Sequence, residues 1–150
     1  MGIDNEIMVK DNIEDIIGYP FKNKRLLEQA LTTTAYSNEN CCNDQSELQT
    51  IGDAVIKLVL TELAMIEKGN TTRHLITVCR INQEDKTGLA KVARDLKIEP
   101  FIKLGIGQKK QNHGNSDHVL AETLEAVAGA IYIDGGFDKT KDIMKKWFED

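Results

Sequence analysis

The sequence contains no apolar run long enough to span a bilayer, which excludes a transmembrane helix. Its first residues, MGIDNEIMVKDN, lack the basic start and apolar core of a signal peptide. They open somewhat like a myristoylation site, but the sixth residue is Glu rather than Ser or Thr. Cysteine is scarce. Cys41, Cys42 and Cys79 are odd in number and two are adjacent, which argues against a disulfide framework and suits a reducing, cytoplasmic setting. A zinc site needs a fourth ligand and better spacing, and His74, His113 and His118 supply no recognisable pattern, so surface or core thiols are the favoured reading. Basic charge is also short. Lys and Arg total 19 against 24 Asp and Glu, and the net charge of −5 is not that of a protein that binds nucleic acid by overall charge.

What the sequence does hold is helical periodicity, in a chain of 150 residues that suffices for one domain with a sizeable core. We read an all-α domain with its core over about residues 12–148. Ile7, Ile13, Ile16 and Ile17 mark a short amphipathic helix over 3–17, ended by Gly18 and Pro20. Leu26, Leu27, Ala30 and Leu31 make the inner face of a helix over 24–31, and the polar stretch 32–45 reads as a loop. The longest pattern, 46–68, carries a stripe of Leu48, Ile51, Val55, Leu58, Val59, Leu63 and Ile66. Ile56 and Leu60 add a second face, so this helix is expected to be buried, and Gly69-Asn70 to end it. Residues 71–82 have the β-branched content of a strand, but a strand here has no partner, so helix is the reading. Residues 83–96 form a further helix, 98–105 a segment broken by Pro100, and 107–116 a polar loop holding Lys109 and Lys110. The last helix, 138–148, buries Ile143, Met144, Trp147 and Phe148.

The central element is predicted over 119–134, VLAETLEAVAGAIYID, capped by Asn115 or Ser116. Leu120, Leu124, Val127, Ala128 and Ile131 recur at helical spacing, and Gly129 with its neighbouring alanines lets another helix approach closely. Glu122 and Glu125 lie three apart on one face of this buried helix. Gln49 and Asp53 lie four apart on the helix from Ser46, beside Gly52. If the two helices cross at their small residues, three carboxylates and an amide oxygen meet, and hard oxygen donors of this kind suit Mg²⁺ or Mn²⁺. The alternative is that these acids are solvated or paired with lysines. Acidic residues on helices are common, so spacing alone favours that second reading.

The order of the segments changes the balance. IIGYPFKNK at 16–24, LLEQALT at 26–32, LQTIGDAV at 48–55, GLAKVARDL at 88–96, KLG at 103–105 and VLAETLEAVAGAIYIDGGF at 119–137 together resemble the catalytic domain of ribonuclease III. The resemblance implies an all-α endonuclease domain that dimerises and hydrolyses phosphodiester bonds of double-stranded or structured RNA, leaving 5′ phosphates. It implies a Mg²⁺ site, open to Mn²⁺, made by Gln49, Asp53, Glu122 and Glu125, with Asp53 and Glu125 as the catalytic pair. It places Thr50, Ile51 and Ile56 at the dimer interface and makes Lys109 and Lys110 candidates for RNA phosphates.

Several positions depart from the family pattern. Gln49 stands where a metal-binding Glu is usual, Ser46 replaces the first Glu of that motif, and Glu122 replaces an Asp. Glu47 lies off the face that Gln49 occupies. Thr33 replaces a His, and Thr50 an aromatic that packs between subunits. A displacement of about 1 Å at a reacting centre costs roughly 100-fold in rate, so these changes imply impaired catalysis. Short bacterial relatives also depart from the first half of the motif while keeping GDAV. The competing expectation is a catalytically degenerate domain serving as an RNA-binding or subunit-assembly module. With no double-stranded RNA-binding domain in the sequence, grip on RNA is expected from the dimer or a separate partner, and to be weak and salt-dependent.

Overall fold

A computed structural model describes residues 12–66 and 72–149. The described helices are α1 (Ile13–Ile17), α2 (Lys24–Ala30), α3 (Thr34–Asn40), α4 (Ser46–Ile66), α5 (Arg73–Glu84), α6 (Lys86–Leu96), α7 (Ile106–Lys110), α8 (Asp117–Gly135) and α9 (Phe137–Trp147). Short 3-10 turns fall at Glu99–Phe101 and His113–Asn115. Among the described residues there is no strand, and the single bridge joins Thr32 to Lys103. The all-α expectation holds.

Helix α8 is the axis of the molecule. It packs against α2, α4, α6 and α9, and from Val119 to Ile131 only Glu122 and Glu125 are not fully buried. Ser116 caps it by accepting from Val119 N at 3.2 Å. Its meeting with α4 is unusually close. A Cβ placed on Gly52 would lie 1.7 Å from the Glu125 carbonyl oxygen, and one on Gly129 would lie 2.1 Å from that of Leu48. Two residues without side chains therefore bring backbone against backbone where both polar pairs lie.

The far end of α8 is clasped by the segment before α2. Asp134 accepts from Tyr19 Oη at 2.7 Å and from the amides of Lys22 and Asn23 at 2.8 and 3.0 Å. Burial raises the Tyr19 phenol to about 12, helped by the hydrogen bond to Asp134 and by its charge. Burial works against the ionised Asp134 as well, but the three donors outweigh it and hold its carboxyl below the ordinary range. Gly18 takes φ +87° as the α1 cap, as the sequence requires. Trp147 Nε1 donates to the Ile17 carbonyl at 3.0 Å, tying α9 to α1.

Several boundaries differ from expectation. Part of the first predicted helix and the Gly69-Asn70 stop lie outside the described residues. The stretch 32–45 is not all loop, because Thr33 caps α3 and Cys41 closes it in the left-handed region at φ 53°. The helix was hidden by its composition, since it buries no residue fully. The polar loop over 107–116 begins instead as α7. Gln108 accepts from Gly105 N at 2.8 Å, and Glu39 accepts from Ile106 N at 3.1 Å across 67 residues of sequence. The helix predicted over 83–96 is broken at Asp85, which ends α5 and caps α6 through Gly88 N at 2.7 Å. On α4, Leu58 and Ile66 leave the expected stripe and are 55% and 71% exposed. Ile56, expected at a subunit contact, is 1% exposed and belongs to the core. It lies on the same inner side as Val59 and Leu60, which α4 buries within its own chain.

Candidate functional site

The crossing of α4 and α8 decides which carboxylates meet. Glu125 lies on the turn of α8 whose carbonyl touches Gly52, and Asp53 is the next residue on α4. Glu125 is half-buried, and its carboxyl is pushed up to about 7 from an ordinary 4.5. Desolvation is the largest cause, followed by the hydrogen bond that protonated Glu125 gives Asp53, the charge of Asp53 and the charge of Glu122. Lys57 acts in the opposite direction. Glu125 thus lies within electrostatic reach of Asp53 on the facing helix and of Glu122 on its own.

The two flanking acids each have a nitrogen partner on their own helix. Asp53 pairs with Lys57 Nζ at 3.2 Å, and Glu122 with His118 Nε2 at 3.2 Å. Gln49 and Glu122 also line a cavity of about 310 Å³ with Thr33, Thr34, Gln45, Gln108 and His118. Thr33 Oγ1 donates to the Lys103 carbonyl at 2.8 Å and lies 2.9 Å from Gln108 Oε1. Among the described residues, no three His, Cys, Asp or Glu side chains close around one point as a metal-holding group. The expected convergence thus corrects to a looser one: Asp53 contacts Glu125, while Glu122 and Gln49 face the adjoining cavity.

The donor chemistry nonetheless fits a hard divalent ion. Three carboxylates and an amide oxygen are available, and the repulsion that disfavours ionised Glu125 is what a cation would relieve. Closing the set requires Asp53 to leave Lys57 and Glu122 to leave His118, both exposed pairs of small energetic weight.

Of the other expected positions, Lys109 and Lys110 are exposed in the last turn of α7. Thr50 is exposed, with Oγ1 donating to the Ser46 carbonyl at 3.2 Å. Ile51 is half-buried beside Gly129. Sequence reading missed Lys57, His118, Gln45 and Gln108. Lys57 and His118 were within reach of it, because each stands four residues from an acid of the cluster on the same helix.

Comparison with known proteins identifies the fold's relatives. A family model described as Ribonuclease-III-like matches residues 23–150. The chain belongs to the ribonuclease-III-like family. Ribonuclease 3 of Oleidesulfovibrio alaskensis is 33% identical over 129 residues, covering 85% of this chain and 56% of that protein. Ribonuclease 3 of Buchnera aphidicola subsp. Acyrthosiphon pisum is 30% identical over 150 residues, covering 97% of this chain and 62% of that protein. This ribonuclease-III-like chain therefore spans little more than half the length of these curated relatives. The nuclease domain of ribonuclease III from Campylobacter jejuni superposes with a TM-score of 0.86 at 27% identity, covering 93% of this chain and 95% of that one. That structure is described for flexibility in a region involved in dimer formation. No described helix here is long and apolar enough to cross a membrane.

Proposed function

We propose that the chain is a metal-dependent endoribonuclease of the ribonuclease III type, hydrolysing phosphodiester bonds in double-stranded or structured RNA. The observation that carries this reading is Glu125, held half-buried against Asp53 with Glu122 close enough to oppose its ionisation. Such an arrangement is costly as a mere surface cluster and useful as a cation site. A bound Mg²⁺ or Mn²⁺ would supply water activation and charge neutralisation at the phosphate. Glu125 and Glu122 would hold the ion with the Gln49 carbonyl oxygen, and Asp53 would bind nearby or orient the attacking water. Lys109 and Lys110, exposed on α7, are candidates for phosphate contacts.

We assign a homodimer to this function. The family neighbour concerned with dimer formation supports it. So do exposed apolar side chains on the packed helices α4 and α5: Leu58, Met65, Ile66, Leu75, Val78 and Ile81.

The test is incubation with long duplex RNA and Mg²⁺ or Mn²⁺, beside a Glu125→Ala control. Cleavage that disappears in the control supports the enzyme. A specific feature favours the second reading, an RNA-binding or assembly module: Gln49 lacks a charge, and Asp53 and Glu122 already have partners in Lys57 and His118. RNA left intact at high protein and Mn²⁺ would overturn the nuclease and support that module.

A further inference from the structure

Lys57 is the one cation described as acting on both acids at the helix crossing. It follows Asp53 by one helical turn, with Nζ 3.2 Å from the Asp53 carboxylate, and its charge also reaches Glu125. Helix α4 is pinned to α8 through Gly52 and Gly129, which fixes the Lys57 backbone one turn beyond Asp53 at the crossing. On the far side of Asp53, one turn back, stands neutral Gln49. The same helix therefore offers an amide before Asp53 and an ammonium after it.

We propose that Lys57 is a tethered competitor of the divalent cation: it occupies the Asp53 carboxylate at the edge of the ion's site, and so raises the ion concentration the protein needs. This inference rests on the metal-dependent reading above. Its physical basis is Coulombic. An ammonium and a divalent ion within one helical turn repel, and the carboxylate oxygen bonded to Lys57 must be released before it can serve the ion. Exposure tempers the effect without abolishing it, because both members of the pair are about half exposed. Lys57 acts through Asp53, as a positioning residue.

The experiment is Mn²⁺ titration of the full chain by calorimetry and by the electron paramagnetic resonance of free Mn²⁺, for wild type, Lys57→Gln, Lys57→Arg and Glu125→Gln. Lys57→Gln is expected to bind Mn²⁺ roughly three- to tenfold more tightly than wild type, and Lys57→Arg to match wild type, since it keeps the charge and the reach. Glu125→Gln is expected to lose the ion. Melting curves in chelator establish that each variant is folded. Detectable binding in Lys57→Gln and none in wild type also supports the competitor, in its strongest form. Equal affinity in wild type and Lys57→Gln overturns the inference and leaves the metal reading intact. Binding that survives Glu125→Gln locates the ion elsewhere and overturns it too. No Mn²⁺ held by any variant overturns both.

Discussion

Glu125 sits where ionisation is opposed on three counts: burial, the neighbouring Asp53 and the charge of Glu122. Its folded value of about 7 lies above the ordinary 4.5. Folding therefore favours the protonated acid. The contribution of Glu125 to stability is fully present below about 4.5, falls as pH rises toward 7, and levels off as a cost above that. Glu125→Gln removes the cost. In the metal-free protein it should be more stable than wild type by about 1–2 kcal/mol near pH 8, after discounting for solvent screening of a half-buried group. Urea denaturation at about pH 5 and pH 8 checks this, and a variant effect independent of pH would contradict the assigned cause. Gln49→Glu works on the other side of the balance. It adds the missing carboxylate and should raise cleavage of duplex RNA about tenfold at limiting Mg²⁺, with the gain shrinking as Mg²⁺ saturates.

At the scale of elements, the decisive fit is α4 against α8. Gly52→Ala would drive a methyl group into the Glu125 carbonyl, 1.7 Å from the new Cβ. Backbone on both sides leaves no side chain to yield, so the expected loss is about 3 kcal/mol or more, read as a lowered denaturant midpoint. The Asp134 clasp is a second element-scale device. Asp134→Ala removes the acceptor for Tyr19, Lys22 and Asn23 and should cost about 2 kcal/mol near neutral pH. The carboxylate is held below its ordinary range, so that contribution is present above about 4 and fades as pH falls through the lowered folded value.

The same scale explains what was legible. α8 and α4 were readable because long runs of Leu, Val, Ala and Ile repeat at helical spacing, and the acid pairs on them followed from the same period. Gly52 and Gly129 announced the crossing. The helices α3 and α7 were not legible, because each is only five to seven residues long: α3 buries no residue fully, and the first turn of α7 is held by Glu39, distant in sequence. Spacing offered Asp53 and Glu122 two sets of partners, Lys57 and His118 four residues on or back along the same helix and the acids of the facing helix, and did not say which contact would win. The inward place of Ile56 was misassigned for a related reason: a helix buried on most of its circumference does not say which face meets its own core and which a second subunit.

For the whole molecule, the metal reading makes stability depend on ion concentration. A ligand at about 100 times its Kd adds about 2.7 kcal/mol to a protein that binds it only when folded. Mn²⁺ should accordingly raise the melting temperature by about 5 °C or more near saturation. That rise should vanish in Glu125→Gln, as differential scanning calorimetry would show. The proposed dimer makes a separate demand. Paired substitution of Leu75 and Val78 on the exposed side of α5 by Lys should shift sedimentation from dimer to monomer while the circular dichroism spectrum is unchanged.

Because Gly52 and Gly129 let main chain rest directly on main chain, the gap between the acids is set by peptide atoms of fixed size. Any side chain at either glycine would push the two helices apart, and with them the carboxylates of Asp53 and Glu125.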